Sequence, residues 1–117
     1  MNGIVFFGTE HLEDIVAFHT GRLGAVVWLE QPACTILRHG NLIVGFCRAQ
    51  RAQTDGLITL VVDHRSEVDE VYERLEDVAS SQPRYNAEYA IYHFYGTDPE
   101  GRPFEVQCFD EAPPLRG

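Results

Sequence analysis

The chain has 117 residues, 44% of them hydrophobic and 23% charged: enough for one packed domain or two very small fused modules, and too apolar for a disordered chain. Its net charge of −9 is uneven, with four Arg against four acids in residues 1–52 and five Arg against fourteen acids in residues 53–117. Such a surface repels phosphate backbones, which argues against a nucleic-acid partner, and no apolar run approaches the ~20 residues of a membrane helix. A soluble, cytoplasmic protein is the expectation. Every basic side chain is Arg, which removes lysine Schiff-base chemistry and the P-loop from consideration. Cys34, Cys47 and Cys108 are odd in number and form no CxxC pair, so reduced thiols are expected rather than a disulfide framework or a four-thiolate zinc site.

Residues 3–8 form a short apolar run bounded by glycines and predict a strand. Thr9 can cap the helix that follows, in which Leu12, Ile15, Val16, His19 and Leu23 recur with a helical period; Gly21 and Gly24 mark its end. Three strand-like segments come next, at 25–29, 33–38 and 41–48, with His39-Gly40-Asn41 as a tight hairpin between the last two. Residues 49–56 are polar and read as a linker.

The pattern then repeats. Residues 57–63 predict a strand, and Ser66 caps a second helix with Val68, Val71, Tyr72, Leu75 and Val78 on its apolar stripe. A short segment near 84–86, then 89–95 and 103–109, complete the set. Asp98-Pro99-Glu100-Gly101 forms the last turn, because Pro presets φ and Gly accepts positive φ. The order is therefore βαβββ, linker, βαβββ, with a period of about fifty residues that signals a duplicated architecture. Module one is expected over 1–52, module two over 56–110, and a tail over 111–117.

Thr-Asp-Pro-Glu-Gly-Arg-Pro-Phe-Glu-Val (97–106) resembles the last hairpin of the vicinal oxygen chelate superfamily. That superfamily groups glyoxalase I, extradiol dioxygenases and the fosfomycin and bleomycin resistance proteins. His11-Leu12-Glu13-Asp14, Ala17-Phe18-His19 and Leu23-Gly24 are similar to its first helix and exit, and the resemblance covers nearly the whole chain. It implies an α+β fold in which two βαβββ modules form a U-shaped, cup-like mixed sheet, and usually a homodimer. Its metal-dependent members place ligands at four positions, which fall here on Ile4, at or near Gly45, on Leu57 and on Glu105. Aliphatic side chains and a bare backbone offer no donor, so the reading is of a metal-free member with no cofactor.

Starting from the positions the resemblance carries over, alternation along strands implies the residues facing the cup. Ile4 and Phe6 face in from the first strand, Ile43, Gly45 and Cys47 from the fourth, Leu57, Thr59 and Val61 from the fifth, and Glu105 and Gln107 from the last. Trp28, Tyr92, His93 and Tyr95 have uncertain phase. Mostly apolar with few polar groups, this is the composition of a small-molecule site. Glu105 is the candidate catalytic group, either partnering a cationic ligand or acting as a general base; the plainer reading is a carboxylate paired with an Arg. His19 reads as a core residue, and His93 is the histidine most open to pocket contact. The function expected is binding of a small aromatic or cationic molecule. The alternatives are a metal-dependent or Glu105-based lyase, isomerase or dioxygenase, with His39 or His93 recruited as ligands, or a regulatory module whose cup is filled by its own side chains.

Overall fold

The computed structural model describes residues 1–114, so the last three residues of the expected tail lie outside it. The described chain divides into two compact units, residues 1–55 and 56–114, each with one helix and four strands. The first unit runs β1 (Val5–Thr9), α1 (Leu12–Gly21), β2 (Val26–Glu30), β3 (Cys34–His39) and β4 (Leu42–Arg48). Its sheet has the order β1-β4-β3-β2, with β1 parallel to β4 and the other pairs antiparallel. The second unit runs β5 (Ile58–Val61), α2 (Arg65–Leu75), β6 (Arg84–Asn86), β7 (Ile91–Thr97) and β8 (Pro103–Phe109). Its sheet, β5-β8-β7-β6, has the same pairing scheme, with β5 parallel to β8. The fold is α+β, built from two βαβββ units with a mixed sheet in each. Antiparallel neighbours in each sheet are joined by short loops, while the parallel strand is the one that precedes the helix, as the geometry of crossovers requires.

Each helix covers one face of its own sheet, α1 on β3 and β4, α2 on β7 and β8. In the first unit Ile15, Leu37, Val44 and Phe46 are fully sealed; in the second Val68, Leu75 and Phe94 are. Burial of each such side chain contributes roughly 1.5–3 kcal/mol, and these clusters hold the sheets. The expected stripe of α1 is partly revised: Leu12, Ile15 and His19 are buried as read, Val16 and Leu23 are only half-buried, and Phe18 takes their place. Phe18 and His19 are edge-to-face, with ring centroids 5.8 Å apart.

Both helix caps differ from the reading. His11, not Thr9, occupies the N-cap of α1; Thr9 Oγ1 instead accepts the His11 N–H at 3.1 Å. His64, not Ser66, is the N-cap of α2, and its backbone N–H donates to Glu67 Oε1 at 3.1 Å. The acid three residues on is the signal, and the pair His64–Glu67 lies two residues earlier than the expected cap at Ser66. The strand read at 89–95 is shifted to β7, because 87–90 form a turn in which Asn86 Oδ1 accepts the N–H groups of Glu88 and Tyr89.

The cysteine expectation is corrected. Cys34 and Cys47 are register partners across β3 and β4, with Cα atoms 4.0 Å apart, and are joined by a disulfide. Counting and local spacing missed it because hairpin register, not sequence proximity, makes the pair. Cys108 is free and buried, and desolvation pushes its thiol up.

The turn between β7 and β8 forms as its residues dictate. Asp98 Oδ1 accepts the N–H groups of Glu100 and Arg102, and Gly101 adopts φ +82°. What composition did not show is that Arg102 is sealed. Its Nη1 donates to Asp98 Oδ2 at 2.6 Å and its Nη2 to Glu100 Oε1 at 3.3 Å.

Candidate functional site

Each sheet has one face covered by its helix and one that is not. Register partners share a face, so the pairings assign every side chain. In the second unit the rows Thr59–Glu105–Tyr95 and Val61–Gln107–His93–Arg84 lie on the face away from α2. The alternate rows, carrying Ile58–Phe104 and Leu60–Val106–Phe94, lie under the helix. In the first unit Phe6, Gly45, Ile36 and Leu29 form one row of the uncovered face, with Ile43 and Cys47 on the same face of β4.

The uncovered face of the second unit brings six of the expected residues together: Thr59, Val61, His93, Tyr95, Glu105 and Gln107. Glu105 is 5% exposed. Its Oε2 lies 2.6 Å from His93 Nδ1, and Thr59 Oγ1 donates to its Oε1 at 2.8 Å. Both carboxylate oxygens are thus engaged. A neutral imidazole in this arrangement carries its proton on Nδ1 and leaves Nε2 as a lone pair; a protonated one makes an ion pair with the carboxylate. Tyr95 meets His93 edge-on at 5.1 Å between ring centroids.

His93 and Tyr95 line a recess of about 330 Å³ together with Arg84, Tyr85 and Asn86 of β6. The three β6 residues were not among those read as site residues. The only signal for them is their position opposite β7, which requires the register. Beside the recess, Tyr85 donates its hydroxyl to Asp110 Oδ2 at 3.0 Å, while Arg65 bonds Asp110 Oδ1 at 2.8 Å and stacks 4.8 Å from the centre of the Tyr85 ring. Arg65 and Tyr85 together hold the Asp110 carboxyl below its usual range, and the bond to Asp110 pushes the Tyr85 phenol up.

The other expected residues are placed differently. Phe6, half exposed, lays its ring across Gly45: a Cβ at that glycine would sit 2.4 Å from the ring. Ile4 and Leu57 are exposed and lie outside the strands, just before β1 and β5. Ile43 is half-buried on β4, where Cys47 is tied to Cys34. Trp28 falls at the irregularity between Val27 and Leu29 on edge strand β2 and has no register partner, which is why its phase was unreadable. Tyr92 lies on the helix side, with its hydroxyl on Asp69 Oδ1 at 2.7 Å. His39 meets His19, Nε2 to Nδ1 at 3.0 Å.

The residues present do not fit a divalent-metal site of the kind the fold hosts. Ile4 and Leu57 offer no donor, Gly45 has its side-chain space filled by Phe6, and Glu105 is committed to His93 and Thr59. Among the described residues no group of three or more His, Cys, Asp or Glu converges.

No family model and no curated protein matches the chain. Solved structures do. A glyoxalase/bleomycin resistance protein/dioxygenase from Nocardioides superposes with a TM-score of 0.77 at 20% identity, covering 100% of this chain and 89% of that one. A lactoylglutathione lyase from Agrobacterium tumefaciens gives 0.75 at 20% identity over 92% of each chain. A glyoxalase/bleomycin resistance protein/dioxygenase family enzyme from Burkholderia phytofirmans gives 0.78 at 18%, over 90% of this chain and 95% of that one. The repeated βαβββ order and these superpositions lead to one conclusion: the chain has the glyoxalase/bleomycin resistance/dioxygenase fold, that of the vicinal oxygen chelate superfamily.

Proposed function

We propose that this protein binds a small aromatic molecule, without a divalent metal, on the uncovered face of the second unit. The observation that carries the reading is the engagement of Glu105. The single position that retains a metal-ligand side chain spends both oxygens inside the protein, on His93 and Thr59, and turns that carboxylate from a ligand into a support for an imidazole beside the recess. Tyr95, partly exposed, offers a ring against which an aromatic ligand can pack. The net charge of −9 pointed also to a cationic ligand, but Arg84 on the same row as His93 works against one. The homodimer that the resemblance implies belongs to the same proposal, as does the cytoplasmic location expected from the lack of a long apolar run.

Two measurements test it. Untagged protein is expected to contain substoichiometric Ni, Zn, Mn and Fe by elemental analysis; one equivalent of any of them overturns the metal-free reading. In a thermal-shift screen of small aromatic compounds, some are expected to raise the melting temperature, because a ligand that binds only the folded state stabilises it. Hits that stabilise His93→Gln as well as the native protein would place the site elsewhere.

The His93–Glu105 pair also favours a second reading: acid–base turnover as a lyase or isomerase, with His93 Nε2 moving the proton. Conversion of a screen hit by the native protein but not by His93→Gln would select it.

A further inference from the structure

The chemistry of the recess specifies more than an aromatic ring. Arg84 and His93 are register partners on adjacent strands, so their side chains stand side by side on the uncovered face. Arg84 is exposed and forms no ion pair with a described carboxylate, unlike Arg48, Arg65 and Arg102, which bond Glu13, Asp110 and Asp98. Glu105 is the carboxylate on this face nearest to it by register, and it is taken up by His93 and Thr59. Arg38 and Arg51 are also exposed and form no ion pair with a described carboxylate; what sets Arg84 apart is that it lines the recess beside an imidazole. The neighbouring Asn86 is also a donor: it spends its Oδ1 on two backbone N–H groups and keeps its amide NH₂, while His93, with its Nδ1 on Glu105, donates from Nε2 only as the imidazolium. Tyr85 cannot serve as an anion, since its hydroxyl donates to Asp110.

We propose that the recess along β6 is a site for an aromatic anion, an aryl carboxylate or a phenolate. The negative group lies against Arg84 with His93 beside it, and the ring packs on Tyr95. A guanidinium recognises a carboxylate through two parallel hydrogen bonds and a phenolate through one, and charge-assisted bonds of this kind are about twice as strong as neutral ones. The volume of about 330 Å³ matches a one-ring ligand. The assignment rests on the small-molecule reading above and adds the sign of the ligand's charge.

The test uses three one-ring probes of three charges, phenylacetate, benzyl alcohol and benzylamine, titrated into ¹⁵N-labelled protein while the amides of Arg84, Asn86, His93 and Tyr95 are followed. Phenylacetate is expected to bind roughly tenfold more tightly than either other probe, the gain of one charge-assisted contact. Arg84→Gln is expected to bring phenylacetate down to the level of benzyl alcohol, and Arg84→Lys, which keeps the charge without the two-pronged donor, to recover only part of the difference. Arg84 is exposed, so both variants keep the fold. Benzylamine binding as tightly as phenylacetate overturns the anion assignment and leaves the small-molecule reading standing. Unchanged phenylacetate affinity in Arg84→Gln overturns the role of Arg84. If none of the three probes moves these amides, the recess site itself falls and the anion assignment with it.

Discussion

Arg102 shows most plainly how a residue can be stranded by its own burial. It is 2% exposed and tied to Asp98 and Glu100, so deleting it leaves two acids buried or half-buried without their cation. Breaking such a pair costs far more than the pair itself contributes. Arg102→Ala is therefore expected to lose roughly 3–5 kcal/mol in denaturant unfolding, a large part of the roughly 5–15 kcal/mol available to a domain. A loss below about 1 kcal/mol would mean that water reaches the acids. His39 sets a different signal. Burial lowers its pKa, so between the ordinary imidazole value of 6.5 and its lower folded value the unfolded chain holds the proton and the folded chain does not. Stability is thus expected to fall as pH drops below about 6.5. Thermal melts at pH 7.5 and 5.5 should show a smaller drop for His39→Asn than for the native chain; equal drops would reject this origin of the slope.

Among the elements, β1 and β4 explain why one expected ligand position is bare. Their parallel register sets Phe6 opposite Gly45, and the ring occupies the space above the glycine. The glycine is a packing requirement, not a lost ligand. Gly45→Ala is expected to cost about 1–3 kcal/mol by overpacking, and much less when Phe6 is also reduced to alanine; a double-mutant cycle measures the coupling. Additive costs would show that the ring moves aside freely. The same register argument governs the disulfide. Nothing in the spacing of Cys34 and Cys47 joins them, but a hairpin turning at Gly40, with φ +56°, sets them opposite each other.

At the scale of the whole molecule, duplication is what could be read in advance. Periodicity is a local property: a helix announces itself every three or four residues and a turn by its Pro, Gly and Asp, so the order βαβββ twice over, the 98–101 turn and the hairpin at Gly40 were all visible in the chain. So were Glu105 and Gln107 as one face of a single strand, by alternation alone; Thr59 was set beside them only through the positions the resemblance carried over. Register was not. Which strand lies beside which, and with what offset, depends on contacts between residues far apart in sequence. Only the folded sheets could set His93 Nδ1 against Glu105, bring Arg84 beside His93, turn Tyr92 to the helix side and close Cys34 on Cys47. The composition of a site is written in the chain; its pairings are decided by the energy of packing one face of each sheet beneath its helix.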